Sequence, residues 1–192
     1  MAPVIPMFGR TAISLKTPRL TLDSLNEQDW PLFLRLYQDP EVQRFISDPM
    51  DLADIRARFE SRVMPWEKTA SHWLCLVIRD RESGQSVGLT GFLPEWSPLQ
   101  QAEVGYAMLP SFQGQGFAKE SLMAVLAFGF QQCLFHKMKA TVTVGNDASR
   151  GLLERCGFQL EGTLRDNYLL GGQWCDDWVL GLLAAEFQPS AV

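Results

Sequence analysis

A segment rich in glycine and glutamine, Gln113–Ala118, stands between a predicted strand and a predicted helix. Its glycines, Gly114 and Gly116, let the backbone approach a ligand closely and direct several N–H groups into one concavity. The helix that follows adds a partial positive charge at its N-terminus, so the segment favours a phosphate or a pyrophosphate. It is neither a Walker A loop, since no Gly-Lys-Ser/Thr follows, nor a Gly-x-Gly-x-x-Gly dinucleotide fingerprint. A plain turn is the alternative when such a loop is considered alone.

The elements that must position this segment follow from hydrophobic periodicity. Alternating or uniformly apolar runs predict strands, and apolar residues three and four positions apart predict helices. The predicted order is β-α-α-β-β-β-α-β-α-β-β, an α+β (mixed α/β) fold in which helices pack on one sheet. Residues 17–187 are predicted to form a single domain after a flexible arm over residues 1–16. The predicted strands are 19–25, 73–79, 86–93, 102–109, 139–144, 158–164 and 174–183, and the predicted helices are 27–39, 51–63, 117–135 and 149–156.

Composition limits the class of function. The chain has 192 residues, 46% hydrophobic and 20% charged, which is typical of one soluble globular domain. Its net charge of −5 argues against general nucleic-acid binding, which needs a positive surface to displace counterions. No apolar run reaches the roughly 18–20 residues of a membrane span. The four cysteines are dispersed and there are only two histidines, so no metal site is predicted, and reduced thiols in the cytoplasm are expected.

Several motifs, taken together and in order, resemble the GNAT N-acetyltransferase superfamily. Gln113-x-x-Gly116-x-Ala118 is similar to its acetyl-coenzyme A loop, which reads Gln/Arg-x-x-Gly-x-Gly/Ala. Other segments resemble its fourth strand, its closing elements and the branch that includes the RimJ/RimL ribosomal-protein acetyltransferases. The resemblance covers nearly the whole chain, from Pro18 to Phe187. The further segments are Ala102–Tyr106 for the fourth strand, Asn146–Ser149 and Glu154–Phe158 for the closing elements, and Glu161–Arg165 with the strand of Asp177 for the branch.

The resemblance implies a GNAT fold with a mixed seven-stranded sheet, splayed fourth and fifth strands and about four helices. It implies acetyl-coenzyme A (acetyl-CoA) as co-substrate, without a metal, and with its pantetheine arm in the split between those strands. Asn146 would hydrogen-bond to the pantetheine region, and Ser149 would lie near the thioester sulfur. The backbone of Ala107, Met108 and Leu109 would pair with the arm, and the pyrophosphate would bind N–H groups of Gln113, Gly114, Gln115, Gly116, Phe117 and Ala118.

Acetyl transfer to an amine requires a neutral amine, a polarised thioester carbonyl and a stabilised leaving thiolate. From its place on the strand beside the implied split, Glu103 is the predicted general base, and Ser149 is the predicted proton donor to sulfur. A solvated or ion-paired carboxylate is the alternative for Glu103, and a helix N-cap is the alternative for Ser149. Tyr106 and Tyr168 are alternative donors, and Tyr168 stands where the RimJ/RimL branch can carry a catalytic glutamate. The N–H of Met108 is predicted to polarise the carbonyl.

The energetics of amine deprotonation favour one class of acceptor. Deprotonating an exposed lysine at neutral pH costs roughly 4–5 kcal/mol, whereas an α-amine costs only about 1 kcal/mol. A protein or peptide N-terminal α-amine is therefore the predicted acceptor, acetylated by direct attack in a ternary complex. A small amine such as a polyamine, amino acid or antibiotic, and a non-catalytic acetyl-CoA-binding module, are the alternatives. A homodimer is compatible with this kind of sheet, although the composition does not require one.

The acceptor pocket is the part that the sequence assigns least. Three tryptophans lie in segments that could line it. Three arginines on the second predicted helix are interpreted as a solvated face, with peptide binding or a cofactor phosphate as the alternative. These residues are Trp30, Trp66 and Trp96, and Arg56, Arg58 and Arg62.

Overall fold

The computed structural model describes residues 12–189, which contain one mixed sheet of eight strands with helices packed against it. The strands are β1 (Ser14–Lys16), β2 (Leu20–Ser24), β3 (Leu74–Asp80), β4 (Ser86–Glu95), β5 (Gln101–Met108), β6 (Lys137–Thr143), β7 (Gln159–Leu170) and β8 (Gln173–Leu183). The helices are α1 (Trp30–Gln38), α2 (Pro40–Gln43), α3 (Leu52–Arg62), α4 (Phe117–Ala127) and α5 (Asp147–Arg155). Across the sheet the strands follow the order β1-β2-β3-β4-β5-β6-β8-β7.

The sheet separates two apolar cores. Alternate residues of a strand point to opposite faces, and the central strand β3 is buried on both. Leu76 and Ile78 pack into the core that contains α4, whereas Cys75 and Val77 pack into the core that contains α1 and α3. A ligand that enters between two central strands can therefore contact both layers of helices.

The strands β5 and β6 provide such an entry because they separate partway along their length. They are parallel neighbours, and all other neighbouring strands of the described sheet are antiparallel. Their pairing runs from Gln101–Lys137 to Glu103–Lys139 and ends there, although β5 continues to Met108. The splayed central strands implied by the resemblance are confirmed.

The structure adds two elements to the predicted order and shortens one predicted helix. The seven predicted strands are present, and Ser14–Lys16 adds an eighth, because its backbone pairs with β2 although its short sequence shows no clear alternation. These three residues therefore belong to the sheet and not to an arm; residues 1–11 of the predicted arm lie outside the described part. A fifth helix, α2, begins at Pro40, where the side chain of Asp39 accepts backbone N–H bonds. The long predicted helix leaves α-helical geometry after Ala127 and ends in a π-helical turn.

Candidate active site

A cleft of about 1020 Å³ opens where β5 and β6 separate. It is lined from one side by the loop before α4 and the start of α5, and from the other by the region of α1 and α2. The three predicted catalytic residues, Glu103, Ser149 and Tyr168, all line this cleft. So do most of the predicted donor-binding residues, namely Ala107, Met108, Gln113, Gly114, Gly116, Phe117, Ala118, Asn146 and Ser149, whereas Leu109 and Gln115 are not among the lining residues.

The direction of the backbone in β5 determines which of its polar groups face the gap. Leu109 donates its N–H to the carbonyl of Val87 at 3.0 Å. Because hydrogen-bonded and non-hydrogen-bonded pairs alternate in an antiparallel ladder, Ala107 is also directed toward β4. Met108 and Tyr106 then present their backbone groups to the gap. Ala107 and Leu109 thus direct their backbone groups to β4 and not to the gap, so of the three residues predicted to pair with a ligand only Met108 faces the gap, and its pairing stays a prediction.

The loop before α4 presents unpaired amides, as its glycines predicted. Gly114 and Gly116 have φ values of +73° and +82°, and Gly116 is the N-cap of α4. Within the described residues no side chain caps this helix, and its first amide bonded to a carbonyl of the turn is that of Glu120, which donates to Gly116 at 3.1 Å. The N–H groups of Phe117, Ala118 and Lys119 have no intrahelical acceptor, as at every helix start. These three amides and the helix dipole are favourable to an anion, as the sequence predicts for this loop.

Two glutamines of the loop, Gln113 and Gln115, form hydrogen bonds within the protein. The N–H of Gln113 donates to Pro110 at 3.2 Å, and its side-chain Nε2 donates to the carbonyl of Met108 at 3.2 Å. Gln113 thus links the loop to β5 and does not offer its amide to a ligand. The side chain of Gln115 bonds within the loop, because its Nε2 donates to the carbonyl of Ser111 at 3.0 Å. The backbone N–H of Gln115, which is the predicted binding group, is not involved in this bond. Lys119, which the sequence did not single out, lies in the cleft.

A pair of side chains distant in sequence holds the loop in place. Arg19 at the start of β2 bonds through Nε to Glu120 Oε2 at 2.7 Å and through Nη1 to the carbonyl of Gln115 at 3.0 Å. Its guanidinium also lies 4.6 Å from the ring centroid of Phe117. Burial acts to raise the pKa of Glu120, but hydrogen bonds from Thr17 and Arg19 outweigh it and lower the pKa below its ordinary value. No local pattern in the sequence predicts this contact, since about 100 residues separate the partners.

A pair of hydroxyl groups lies on the α5 side of the cleft. Tyr106 Oη is 2.8 Å from Ser149 Oγ and 3.2 Å from the Ser149 carbonyl oxygen. Burial raises the pKa of Tyr106 to about 12, against a smaller lowering by its bond to Ser149. The two hydroxyl groups are therefore within hydrogen-bond distance of each other, and the phenol stays protonated at neutral pH.

The alternative interpretation of Ser149 as a helix cap is wrong. The N-cap of α5 is Asn146, whose Oδ1 accepts the backbone N–H of Ser149 at 3.2 Å. The hydroxyl of Ser149 is thus free of capping, and Asn146 retains its Nδ2 group to donate to a ligand. Both residues keep the places in the cleft that the resemblance implied.

Glu103 lies on the opposite face of β5 from Tyr106. Residues Ala102 and Val104 point into the core that contains α4, so Glu103 points toward α1 and α3 by alternation. The side chain is half-buried and lines the cleft. The lysine opposite it, Lys139, forms its salt bridge with Glu95 at 2.8 Å, so the ion-pair alternative for Glu103 is not formed. A partly buried carboxylate without a cationic partner in the described chain suits a general base.

Trp73 forms the lining of the cleft on this face. A Cβ atom at Gly105 would lie 2.9 Å from the Trp73 ring, so only glycine leaves room for the indole against β5. Tyr168 lines the cleft from the β7–β8 hairpin and is 38% exposed. The three tryptophans that the sequence suggested lie elsewhere: Trp30 packs on Phe59, Trp66 on Phe92 and Trp96 on Phe135.

The described residues contain no other class of site considered in the sequence analysis, neither a metal site nor a membrane span. Between residues 12 and 189, no group of three or more histidine, cysteine or acidic side chains is arranged to hold a metal ion. In the same range, no helix is both long enough and apolar enough to cross a membrane. The cleft at the gap between β5 and β6 is therefore the candidate active site.

Comparison with known proteins shows the family to which this chain belongs. The acetyltransferase (GNAT) domain family matches residues 19–159. The uncharacterized N-acetyltransferase p20 of Bacillus licheniformis is 28% identical over 177 residues, which are 91% of this chain and 98% of p20. The ribosomal protein uS5-alanine N-acetyltransferase of Escherichia coli (strain K12) is 31% identical over 86 residues, 45% of this chain and 44% of that protein.

A solved structure agrees in fold. The crystal structure of spermidine N-acetyltransferase from Vibrio cholerae in complex with CoA and spermine superposes with a TM-score of 0.78 at 23% identity, over 88% of this chain and 98% of that one. The family match spans most of the sheet, the gap and the loop before α4. This chain belongs to the GNAT family of N-acetyltransferases, which use acetyl-CoA as the acetyl donor.

Proposed function

We propose that the protein acetylates the α-amine of a protein or peptide N-terminus, by direct attack on acetyl-CoA in a ternary complex, in the cytoplasm. The observation that carries this proposal is the gap between β5 and β6, with Glu103 on one face of the sheet and the Tyr106–Ser149 pair on the other. The E. coli relative, named for an alanine of ribosomal protein uS5, supports a protein acceptor and a RimJ/RimL-like branch. The four free cysteines support a reducing compartment.

The residues of the cleft suit each part of acetyl-CoA. The amides of Phe117, Ala118 and Lys119 at the start of α4 suit the diphosphate. The outward-facing backbone groups of Tyr106 and the carbonyl of Met108 suit the amide groups of the pantetheine arm, in the manner of an added strand. When bound, acetyl-CoA supplies an activated acyl group, and the chain supplies the groups that orient and polarise it.

Glu103 is the base in this proposal. An α-amine has a pKa of about 7.7–8.0, so its neutral form costs about 1 kcal/mol at pH 7. A carboxylate that accepts one proton, directly or through a water molecule, is sufficient for that cost. A lysine side chain costs roughly 4–5 kcal/mol to deprotonate, which a single carboxylate offsets less completely. The single free carboxylate on β5 thus favours an α-amine.

Met108 and the hydroxyl pair act on the thioester. The N–H of Met108 faces the gap and is placed to donate to the carbonyl oxygen as negative charge develops there. With Tyr106 donating to Ser149 Oγ, the Ser149 hydroxyl hydrogen is left to donate to sulfur. A phenol with a pKa of about 12 lies about 3.5 units above an ordinary thiol, so full proton transfer to the thiolate costs about 5 kcal/mol. We therefore assign the pair a hydrogen-bonding role toward the leaving sulfur, not outright protonation.

Calorimetry and a matched panel of amines test the proposal. Acetyl-CoA is titrated first, and acetylation is then followed by mass spectrometry on a peptide with a free N-terminus, on the same peptide with a blocked N-terminus and one internal lysine, and on spermidine. We expect acetyl-CoA binding, and acetylation of the free N-terminus at the highest kcat/KM. Absence of binding at high micromolar acetyl-CoA contradicts the donor assignment, and binding without turnover of any amine indicates a non-catalytic module.

A small polyamine is the second candidate acceptor. Three acidic side chains line the cleft, Glu41, Glu103 and Asp177, and each can attract a cation locally. The cleft as a whole is not acidic, because four basic side chains also line it: Arg44, Arg62, Lys119 and Arg155. The Vibrio cholerae enzyme of the same fold was solved with spermine. Preferential acetylation of spermidine in the panel above would establish this candidate over the peptide.

A further inference from the structure

Arg62 lines the cleft, although the sequence favoured a solvated helix face for it and gave peptide binding or a cofactor phosphate as the alternative. It lies in the last turn of α3 and is half-buried. Its guanidinium lies 5.5 Å from the ring centroid of Trp73 and 5.7 Å from those of Phe33 and Tyr37. It also lies close enough to Cys75, in the core beneath, to act on that thiol. Arg62 is therefore held by aromatic faces at the edge of a core.

The electrostatic partner that such a group normally has is absent. Among residues 12–189, Arg62 forms no salt bridge, whereas Arg56 on the same helix pairs with Glu27 at 3.2 Å and Glu60 at 2.9 Å. Aromatic faces attract a cation but do not accept the in-plane N–H bonds of a guanidinium fork. A partly desolvated arginine with free donors is suited to a planar anion such as a carboxylate.

The position of Arg62 relates it to the acceptor and not to the donor. Its neighbour Trp73 packs on Gly105, which follows Glu103 by two residues and so lies on the same face of β5. The amides at the start of α4, by contrast, lie on the opposite face of the sheet, where α4 packs. An acceptor whose amine reaches Glu103 thus has the rest of its structure directed along Trp73 toward Arg62.

We propose that Arg62 binds a carboxylate of the acceptor, so that the preferred acceptor is an amine that carries a carboxylate a few bonds away. This inference rests on the proposed acetyltransferase site and adds a specificity residue to it. The carboxylate has two possible sources: an acidic side chain close behind a peptide N-terminus, or the α-carboxylate of a free amino acid. One guanidinium recognises both in the same bidentate geometry.

Paired acceptors that differ in one carboxylate test the inference. Ala-Glu-Ala-amide is compared with Ala-Gln-Ala-amide, and alanine with alaninamide, by kcat/KM in wild type, Arg62→Gln, Arg62→Lys and Arg58→Gln. Arg58 is an exposed neighbour on the same helix and serves as the matched control. We expect the carboxylate form of at least one pair to be preferred about tenfold or more, as for a charged pair in a cleft. The pair that shows the preference identifies the source.

Arg62→Gln is expected to remove the carboxylate preference. It is also expected to leave kcat/KM for the amide acceptors within about twofold and acetyl-CoA affinity unchanged. Arg62→Lys is expected to restore part of the carboxylate preference. Equal loss with both members of a pair, or no preference in wild type, overturns the inference and leaves the acetyltransferase intact. Quenching of tryptophan fluorescence by each acceptor, with CoA bound, measures binding without turnover. The carboxylate preference is thereby tested even if no amine is acetylated, an outcome that contradicts only the proposed function.

Discussion

The two sides of the cleft are built in different ways. The donor side is made of backbone: the amides at the start of α4, the outward-facing edge of β5, and two glycines with positive φ. The acceptor side is made of side chains from separate segments, Glu103, Trp73 and Arg62 among them. A backbone site binds what all members of a family share, whereas a side-chain site can change with the substrate. The difference explains why one fold can keep its donor while its acceptors differ.

The largest expected effect falls on the acceptor side. Glu103→Gln keeps the size of the side chain and removes the base, so kcat/KM for a peptide amine at pH 7 is expected to fall by roughly 10²–10³. The part of this deficit that reflects amine deprotonation, about 1 kcal/mol or tenfold at pH 7, is expected to disappear between pH 7 and pH 9, because the α-amine is mostly neutral at pH 9. Acetyl-CoA affinity, measured by calorimetry, is expected to be unchanged. A deficit that stays constant over this pH range contradicts the base assignment.

The hydroxyl pair distinguishes the two tyrosines that the sequence offers as alternative proton donors, of which Tyr168 is the predicted catalytic residue. Tyr106→Phe removes the bond to Ser149 and is expected to lower kcat roughly tenfold, the value of one hydrogen bond that reaches a developing charge. Tyr168→Phe is the matched control, because Tyr168 is exposed on the β7–β8 hairpin, and its kcat is expected to stay within about threefold of wild type. Steady-state kinetics at saturating acetyl-CoA measure both. The reverse ranking would transfer the proposed role to Tyr168.

On the donor side, the conformation of one glycine is expected to matter for affinity. Gly116→Ala places a methyl group at φ +82°, 3.2 Å from the Arg19 guanidinium, at the start of the predicted anion site. We expect acetyl-CoA affinity to fall about tenfold, or about 1.4 kcal/mol. Gly84→Ala in the β3–β4 turn has a similar φ of +70° with no neighbour within 4 Å, so it introduces the backbone strain alone. Calorimetry is expected to show normal affinity for Gly84→Ala, and equal losses in both variants would contradict a local effect on the anion site.

The donor side of the cleft is easier to predict from the sequence than the acceptor side. The loop at Gly114 and Gly116 is a local signal, a few residues long, and is predicted directly from the chain. The cap of α5 is less well predicted, because the sequence offered Ser149 as the cap and the structure places it three residues earlier, at Asn146. The backbone direction of Ala107 depends on the register of β4 and β5, which a single strand does not specify. Trp73 and Arg62 reach the cleft only after distant elements pack, so no periodicity of their own segments predicts them.

The contact between Arg19 and Glu120 tests whether the donor loop depends on a distant element. Glu120 has a lowered pKa in the folded protein, so it stabilises the fold fully above its unfolded value of about 4.3, and this contribution is lost as pH falls through the lowered folded value. Glu120→Gln is therefore expected to reduce the free energy of unfolding by about 1 kcal/mol at pH 7. The difference from wild type is expected to shrink as pH falls below about 4, as measured by urea denaturation at each pH.

Glu82→Gln, in the exposed β3–β4 turn, is the control and is expected to match wild type at every pH. If the deficit of Glu120→Gln is the same at pH 7 and pH 3, the carboxylate does not act through its charge, and packing of the side chain is the cause. If the deficit titrates and acetyl-CoA affinity falls with it by a few-fold, the loop before α4 owes its binding geometry to β2. The donor side would then depend on a tertiary contact, as the acceptor side does. The two sides would differ only in the groups that bind the ligand, which are backbone groups on the donor side and side chains on the acceptor side.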